Sequence, residues 1–227
     1  MSGPARRRRT HASRGYPGRG AAERRVGLFG GTFDPPHFGH LALAEWARME
    51  LGLDEVWFVP AGEPPHKPRA RRSATAHRVA MTRLAVRGNP AFSVSTLESR
   101  RRGPSYTADT VRRVAAAHPR ARIHLLMGAD MFATFDSWRE PEAIASRAVL
   151  VVASRPGARA RPGRARRGRD VVWLGNPGLE VSSTALRERA REGRSLRYLV
   201  PDAVARYAER HRLYGPSPGS RPKRGRR

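Results

Sequence analysis

Short apolar segments and amphipathic segments alternate along the chain from about residue 25 to residue 210. Six apolar segments have the length of buried strands; they cover about residues 25–30, 55–59, 92–97, 123–127, 148–153 and 171–174. Helical patterns are predicted over about residues 39–51, 73–87, 105–118, 141–146, 182–192 and 201–210. This alternation predicts an α/β fold, a single domain with a Rossmann-like, doubly wound parallel sheet and helices on both faces.

Individual residues indicate where these helices begin and end. Gly52 is expected to end the first helix, Ser73 to be the N-cap of the second, and Pro141 to begin a later one. In the first helix, the apolar residues near helical spacing are Leu41, Ala44, Trp46 and Met49.

Chemically distinctive residues follow several of the predicted strands. The stretch from Gly30 to His40 follows the first, Lys67 the second, Gly128 to Asp130 the fourth, and Ser182 to Arg187 the last. Ligands of doubly wound sheets bind beyond the carboxyl ends of the strands, where the strand order reverses. The convergence of these residues at that edge predicts a nucleotide site.

The stretch from Gly30 to His40 reads GGTFDPPHFGH and lies between a predicted strand and a predicted helix. Glycines allow close approach of the backbone, and a helix start offers unpaired N–H groups that attract anions. We therefore predict that the stretch binds a nucleotide phosphate. The chain contains neither G-x-x-x-x-G-K-[ST] nor G-x-G-x-x-G, so the loop is neither a P-loop nor a dinucleotide fingerprint.

His37 and His40 are three residues apart at the start of the predicted helix, so both can face one ligand. Three interpretations compete: ordinary structural histidines, a metal-binding pair, and donors to a phosphate. A zinc site would need further ligands that the sequence does not place. The phosphate interpretation is favoured by the glycines and the helix dipole, and Asp34 is then expected to fix the turn.

Composition narrows the functional classes. The 227-residue chain has no cysteine, which excludes disulfides, thiol nucleophiles and thiolate metal sites, and it has no apolar run of membrane-spanning length. A cytoplasmic location is the expectation. The net charge of +26 suggests nucleic-acid binding.

The location of the charge weakens that suggestion. Arginines concentrate in a predicted disordered head (residues 1–24), a predicted mobile loop (residues 155–170) and a predicted disordered tail (residues 215–227), around a domain over residues 25–214. These segments lack interleaved aromatic residues that would stack on bases. No specific nucleic acid is expected as a partner.

Further motifs make a family resemblance specific. GGTFDPPHFGH resembles the T/H-x-G-H signature of the nucleotidyltransferase superfamily, and VSSTALRER (Val181 to Arg189) is similar to its second motif. Between them lie, in order, PPHK (64–67), SYTADT (105–110), GAD (128–130), a turn at Trp138 and SRPG (154–157). The ordered set covers about residues 25–214 and resembles the bacterial nicotinate-nucleotide adenylyltransferase family.

The resemblance implies an enzyme of NAD biosynthesis that transfers AMP from ATP to nicotinate mononucleotide by direct in-line attack, without a covalent intermediate. Mg²⁺ would accompany ATP, held largely by phosphates and water, with no metal-ligating residue in the protein. The implied catalytic residues are His37, His40 and Arg187. The implied ATP-binding residues are Gly30, Gly31, Thr32, Phe33, His37, His40, Ser183, Thr184 and Arg187.

The second substrate would be bound by a separate set of residues, and each has a structural alternative. The implied set is Lys67, Tyr106, Thr107, Asp130, Trp138 and Arg139, with Trp138 stacked on the ring and backbone N–H groups near Thr107 and Arg139 on its carboxylate. In the alternative interpretation, Trp138 and Tyr106 are packing residues, Asp130 is a turn residue, and Ser183-Thr184 is only an N-cap.

Two other functions stay open on the sequence alone. One is a sister adenylyltransferase that uses nicotinamide mononucleotide or phosphopantetheine, and the other is a nucleic-acid-binding protein that uses the basic tails. The sequence also leaves open whether the chain forms a homo-oligomer.

Overall fold

The computed structural model describes residues 23–62, 72–101, 103–153, 161–165, 169–175 and 179–215. Most of the predicted head and tail, and Lys67, lie outside the described residues. In this part of the chain the strands are β1 (Arg24–Gly31), β2 (Glu55–Pro60), β3 (Phe92–Val94), β4 (Ala121–Gly128), β5 (Ala148–Ala153), β6 (Arg161–Ala165) and β7 (Arg169–Leu174). The α-helices are α1 (Phe38–Leu51), α2 (Thr75–Val86), α3 (Thr107–Ala117), α4 (Ala129–Ala133), α5 (Pro141–Ala145), α6 (Ser183–Arg191) and α7 (Asp202–Arg210).

The strands form one sheet in the order β3-β2-β1-β4-β5-β7-β6. All neighbours pair in parallel except β6, which pairs antiparallel with β7. The chain runs outward from β1 through β2 to β3 and then returns to β4 on the other side of β1. The predicted doubly wound sheet is therefore confirmed, and its strand order reverses between β1 and β4.

The strand β6 corrects one sequence prediction. Residues 155–170 were expected to be a mobile loop, yet 161–165 pair with 169–173 as an antiparallel edge. The segment reads RPGRA and has no apolar alternation, so its composition gave no strand signal. A proline is compatible with an edge strand, where one side of the strand needs no ladder partner.

Helices cover both faces of the sheet. On one face, α1 buries Leu43, Ala44 and Ala47 against strand residues such as Phe29 and Val151. On the other face, α3 and α5 pack on β1, β4 and β5; the cluster includes Val26, Leu28, Val111, Ile123, Ile144 and Leu150. Burial of each such side chain contributes about 1.5–3 kcal/mol, so both layers anchor the sheet.

A third cluster joins α2, α6 and α7 to the end of the described chain. Its members include Met81, Leu186, Val204, Ala208 and Tyr214. This cluster connects the late motif of the sequence, at the start of α6, with the first half of the chain.

Helix ends agree with the sequence at some positions and differ at others. Gly52 ends α1 in the left-handed conformation, with φ 59°, and Pro141 begins α5, both as predicted. The N-cap of α2 is Ala74 rather than Ser73. In α1, Trp46 and Met49 are 42% and 65% exposed, so the buried face is rotated from the predicted one.

Candidate active site

The stretch from Gly30 to His40 connects β1 to α1 at the point where the strand order reverses. Gly30 is exposed, with no atom within 4 Å of the position where a Cβ would lie, so a ligand can approach its backbone. A Cβ on Gly31 would instead lie 2.9 Å from the ring of Phe33. Phe33 has φ 49° and is 1% exposed. Its ring therefore belongs to the core, and its backbone is held in a conformation that non-glycine residues rarely adopt.

Asp34 is fully buried, and both of its carboxylate oxygens are occupied. Oδ1 accepts a hydrogen bond from the hydroxyl of Tyr214 (2.6 Å), and Oδ2 accepts one from the backbone N–H of Ser73 (2.9 Å). The peptide bond between Asp34 and Pro35 is cis. These two hydrogen bonds tie the turn to Ser73 and to Tyr214, as expected of a residue that fixes the turn.

His37 and His40 lie next to each other at the start of α1. Their rings stack with centroids 3.6 Å apart and an interplanar angle of 25°. The backbone N–H of His37 donates to Nδ1 of His40 (3.2 Å). A neutral His40 therefore carries its proton on Nε2, and it can donate that proton to a ligand. Among the described residues, Nδ1 of His37 is buried and has no hydrogen-bond partner.

Burial keeps both histidines neutral. It lowers the pKa of His37 to about 4. Burial also lowers the pKa of His40 well below its ordinary value, and proximity to His37 lowers it further. Because both rings are uncharged near pH 7 in the free protein, they are suited to donating hydrogen bonds to phosphate oxygens rather than to holding a permanent charge.

The start of α6 contacts this same loop. The hydroxyl of Ser183 donates to the carbonyl oxygen of Pro35 (2.9 Å), and Nη1 of Arg187 donates to the carbonyl oxygen of Asp34 (2.8 Å). Nη2 of Arg187 also donates to the hydroxyl of Thr184 (3.2 Å). The N-cap itself is Ser182, whose hydroxyl accepts from the backbone N–H of Ala185. Neither Ser183 nor Thr184 is therefore the N-cap of α6.

A buried arginine, Arg78, holds the loop of residues 30–40 in place, although no sequence motif indicates it. Arg78 is 1% exposed and donates to the carbonyl oxygens of Thr32 (3.0 Å), Gly62 (3.1 Å) and Ser73 (3.2 Å). Burial lowers its pKa, while the nearby Asp34 opposes that shift. Arg78 thus ties the ends of β1 and β2 to α2. In a chain this rich in arginine, no sequence signal distinguishes it.

A second group of predicted site residues lies at the N-terminus of α3, on the face of the sheet opposite to α1. The group consists of Tyr106, Thr107, Trp138 and Arg139. Tyr106 is the N-cap of α3, which begins at Thr107. The guanidinium of Arg139 lies over the ring of Tyr106, 4.7 Å from its centroid, a cation–π geometry. Trp138 is half-buried and packs on Phe135, with ring centroids 5.3 Å apart. The N-terminus of α3 is therefore bordered by a wall of aromatic and cationic side chains, which are those of Tyr106, Trp138 and Arg139.

Asp130 lies exposed in the first turn of α4, and its carboxylate folds back toward the backbone of Gly128. Lys67 lies outside the described residues.

Within the described part of the chain, no helix combines the length and the apolar character that crossing a membrane requires.

Hydrogen-bond donors from α1 and α6 thus lie beside the point where the strand order reverses, between β1 and β4. The model of the cytidylyltransferase-like family matches residues 28–189. The chain is 46% identical over 192 residues to "Probable nicotinate-nucleotide adenylyltransferase" of Salinibacter ruber, covering 85% of this chain and 98% of that protein. It is 39% identical over 191 residues to the protein of the same name from Bacillus pumilus, covering 84% and 98%. The chain therefore belongs to the cytidylyltransferase-like family and, within it, to the nicotinate-nucleotide adenylyltransferases.

A solved structure agrees with the fold. The nicotinic acid mononucleotide adenylyltransferase of Plasmodium falciparum, complexed with NaAD, superposes with a TM-score of 0.70 at 18% identity, covering 85% of this chain and 98% of that one. At that identity, the likeness supports the architecture alone.

Proposed function

We propose that the protein transfers AMP from ATP to nicotinate mononucleotide, giving nicotinate adenine dinucleotide and pyrophosphate. The observation that carries the proposal is the contact of Ser183 and Arg187 with the backbone of residues 34–35, beside the stacked histidines. It brings the two motifs, about 150 residues apart, to one point beyond β1. Family membership supports the choice of substrates.

In this proposal, the two histidines and Arg187 surround the phosphates of ATP. A phosphate oxygen of nicotinate mononucleotide attacks the α-phosphorus, a new P–O bond forms, and the bond to pyrophosphate breaks. Neutral His37 and His40 donate hydrogen bonds to oxygens on which charge builds in the transition state. The forked guanidinium of Arg187, with the hydroxyl of Thr184 and the backbone N–H of Ser183 at the start of α6, holds the departing phosphates. Such a reaction needs alignment and charge stabilisation rather than a protein nucleophile.

We propose that Mg²⁺ enters this site together with the phosphates of ATP. In the described part of the chain, no group of three or more His, Asp or Glu side chains could hold a metal ion. The carboxylate of Asp34 is occupied by Ser73 and Tyr214, and the groups around the loop are hydrogen-bond donors. We propose that the ion is held by phosphate oxygens and water, where it would neutralise charge on the leaving group.

The nicotinate ring is assigned to the wall formed by Tyr106, Trp138 and Arg139. Trp138 offers a face for stacking, and the first N–H groups of α3, near Thr107, offer donors to the ring carboxylate. The guanidinium of Arg139 adds positive charge on the same side. Asp130 is assigned to a ribose hydroxyl, and Lys67 to a phosphate.

Comparison of substrates tests the proposal. Purified protein with ATP and Mg²⁺ is offered nicotinate mononucleotide, nicotinamide mononucleotide or phosphopantetheine, and both pyrophosphate and the dinucleotide product are quantified. We expect the highest kcat/KM with the nicotinate nucleotide. An equal or reversed preference would reject nicotinate as the substrate.

A cytoplasmic location stays a prediction, which fractionation of the source cells would test.

A further inference from the structure

Tyr214 lies near the end of the described chain, far in sequence from the loop of residues 30–40 (here called the phosphate loop), yet its hydroxyl reaches Asp34 in that loop. The hydroxyl donates to Oδ1 of Asp34 at 2.6 Å, across 180 residues of sequence. Tyr214 is 6% exposed and Asp34 is 0% exposed, so this hydrogen bond is shielded from water. A buried charge-assisted hydrogen bond is among the stronger ones, and removal of the donor leaves a carboxylate oxygen unpaired.

Asp34 also contacts a group that is proposed to hold ATP, so the position of Asp34 affects the position of that group. Its carbonyl oxygen accepts from Nη1 of Arg187, and His37 follows three residues later at the start of α1. Its other carboxylate oxygen accepts from the backbone of Ser73, just before α2. A rotation of Asp34 would therefore displace the guanidinium of Arg187 relative to the histidines.

The hydroxyl of Tyr214 is held in its donating form. Burial and the neighbouring charge of Asp34 both raise the pKa of Tyr214. The phenol therefore stays protonated near neutral pH, where it can donate to Asp34.

We propose that Tyr214 is a positioning residue for adenylyl transfer, which acts through Asp34 to align Arg187 with the phosphates. This inference rests on the proposed function for its turnover readout. It assigns to the last described segment of the chain a role in the active site that neither sequence motif indicates. A misplacement of about 1 Å in such a site can lower a rate by on the order of 100-fold.

The chain offers a matched control in Tyr207. Its hydroxyl lies 3.0 Å from Nδ1 of His77, so it joins α7 to α2 as Tyr214 joins the same region to Asp34. Tyr207 also packs against the third core cluster. Tyr207→Phe removes the same atom from the same part of the fold without touching the phosphate loop.

The test compares Tyr214→Phe with Tyr207→Phe in the full chain, with kcat and KM measured well below both melting temperatures. We expect Tyr214→Phe to lower kcat by about tenfold, with the KM for nicotinate mononucleotide changed less than about twofold, and Tyr207→Phe to leave kcat within about twofold of the unmodified protein. A loss below about threefold in Tyr214→Phe, or an equal loss in both variants, would overturn the proposal.

A double-mutant cycle separates positioning from general destabilisation. If Tyr214 acts through Arg187, Tyr214→Phe should lower kcat much less in an Arg187→Lys background than in the unmodified protein. The same fold-loss in both backgrounds would contradict that route.

Calorimetric titration with ATP alone distinguishes this inference from the proposed function. We expect weaker ATP binding in Tyr214→Phe than in Tyr207→Phe, whatever the second substrate is. An unmodified protein that binds ATP but does not adenylylate nicotinate mononucleotide would reject the proposed function. Equal ATP affinities of the two variants, together with equal kcat values, would reject the positioning role.

Discussion

The imidazole rings of His37 and His40 stack at 3.6 Å between centroids, and the backbone N–H of His37 donates to Nδ1 of His40. This hydrogen bond fixes which nitrogen of His40 carries the proton. It leaves Nε2–H as the donor, on a ring flanked edge-on by Phe29 and Phe33. Preorganised donors in an apolar surrounding stabilise developing charge more strongly than solvent does, since they need no reorganisation during the reaction.

The first prediction follows from this geometry. His40→Ala should lower kcat by on the order of 100-fold, as for loss of a donor that acts in the transition state. His211→Ala removes an exposed histidine that packs on Tyr207, and it should leave kcat unchanged. Steady-state assays of pyrophosphate release check both variants. A folded His40→Ala protein with near-normal turnover would show that the ring is structural.

A second prediction concerns pH and stability. The pKa of His37 is lowered to about 4 in the folded protein, from an ordinary value of 6.5, so the unfolded chain binds more protons between these pH values. Stability must therefore fall as pH falls through this window, by about 2 kcal/mol between pH 7 and pH 5 for this histidine. Lowered pKa values of His40 and His124 act in the same direction.

Urea unfolding at pH 7 and pH 5 measures this dependence. In His37→Gln, the difference in unfolding free energy between the two pH values should shrink by about 2 kcal/mol. The difference, rather than the absolute stability, is the informative quantity, because the substitution also changes packing. An undiminished difference would mean that His37 is not kept neutral by the fold.

The sequence predicted the sheet well because each parallel strand is a continuous apolar segment. It also predicted that the two motifs meet, since both follow strands that end at the same edge. It did not predict the roles of Arg78 and Tyr214, which satisfy groups 46 and 180 residues away. A buried carboxylate must find donors, but a single sequence does not show which distant residues supply them.

The glycines of the first motif give a third prediction, because they differ in what surrounds them. Gly30→Ala meets no atom within 4 Å, so we expect the unfolding free energy to change by less than about 0.5 kcal/mol. If ATP approaches this backbone, the added methyl group should raise the KM for ATP roughly tenfold, equivalent to about 1.4 kcal/mol. A variant with unchanged stability and unchanged KM would remove Gly30 from the nucleotide site.

Gly31→Ala provides the contrast. Its Cβ would lie 2.9 Å from the ring of Phe33, which is 1% exposed, so the ring would have to shift within the core. We expect a loss of about 1–3 kcal/mol in unfolding free energy, as for overpacking of a core. Thermal or urea unfolding checks this value. Equal stabilities of the two variants would contradict the packing of Phe33 described above.

The last prediction concerns Trp138, which could serve either as a core residue or as a stacking surface. Stacking of an aromatic side chain on a base contributes about 1–3 kcal/mol, so Trp138→Ala should raise the KM for nicotinate mononucleotide at least about fivefold, with the KM for ATP unchanged. Trp138→Phe keeps a ring and should retain most of the affinity. Trp173, which packs on Phe132 in the same core cluster, gives the control, since Trp173→Ala removes a comparable apolar surface that is not among the residues proposed to bind the ring. If both alanine variants lose only stability and keep the KM for the nicotinate nucleotide, then Trp138 is a packing residue and the ring must bind elsewhere.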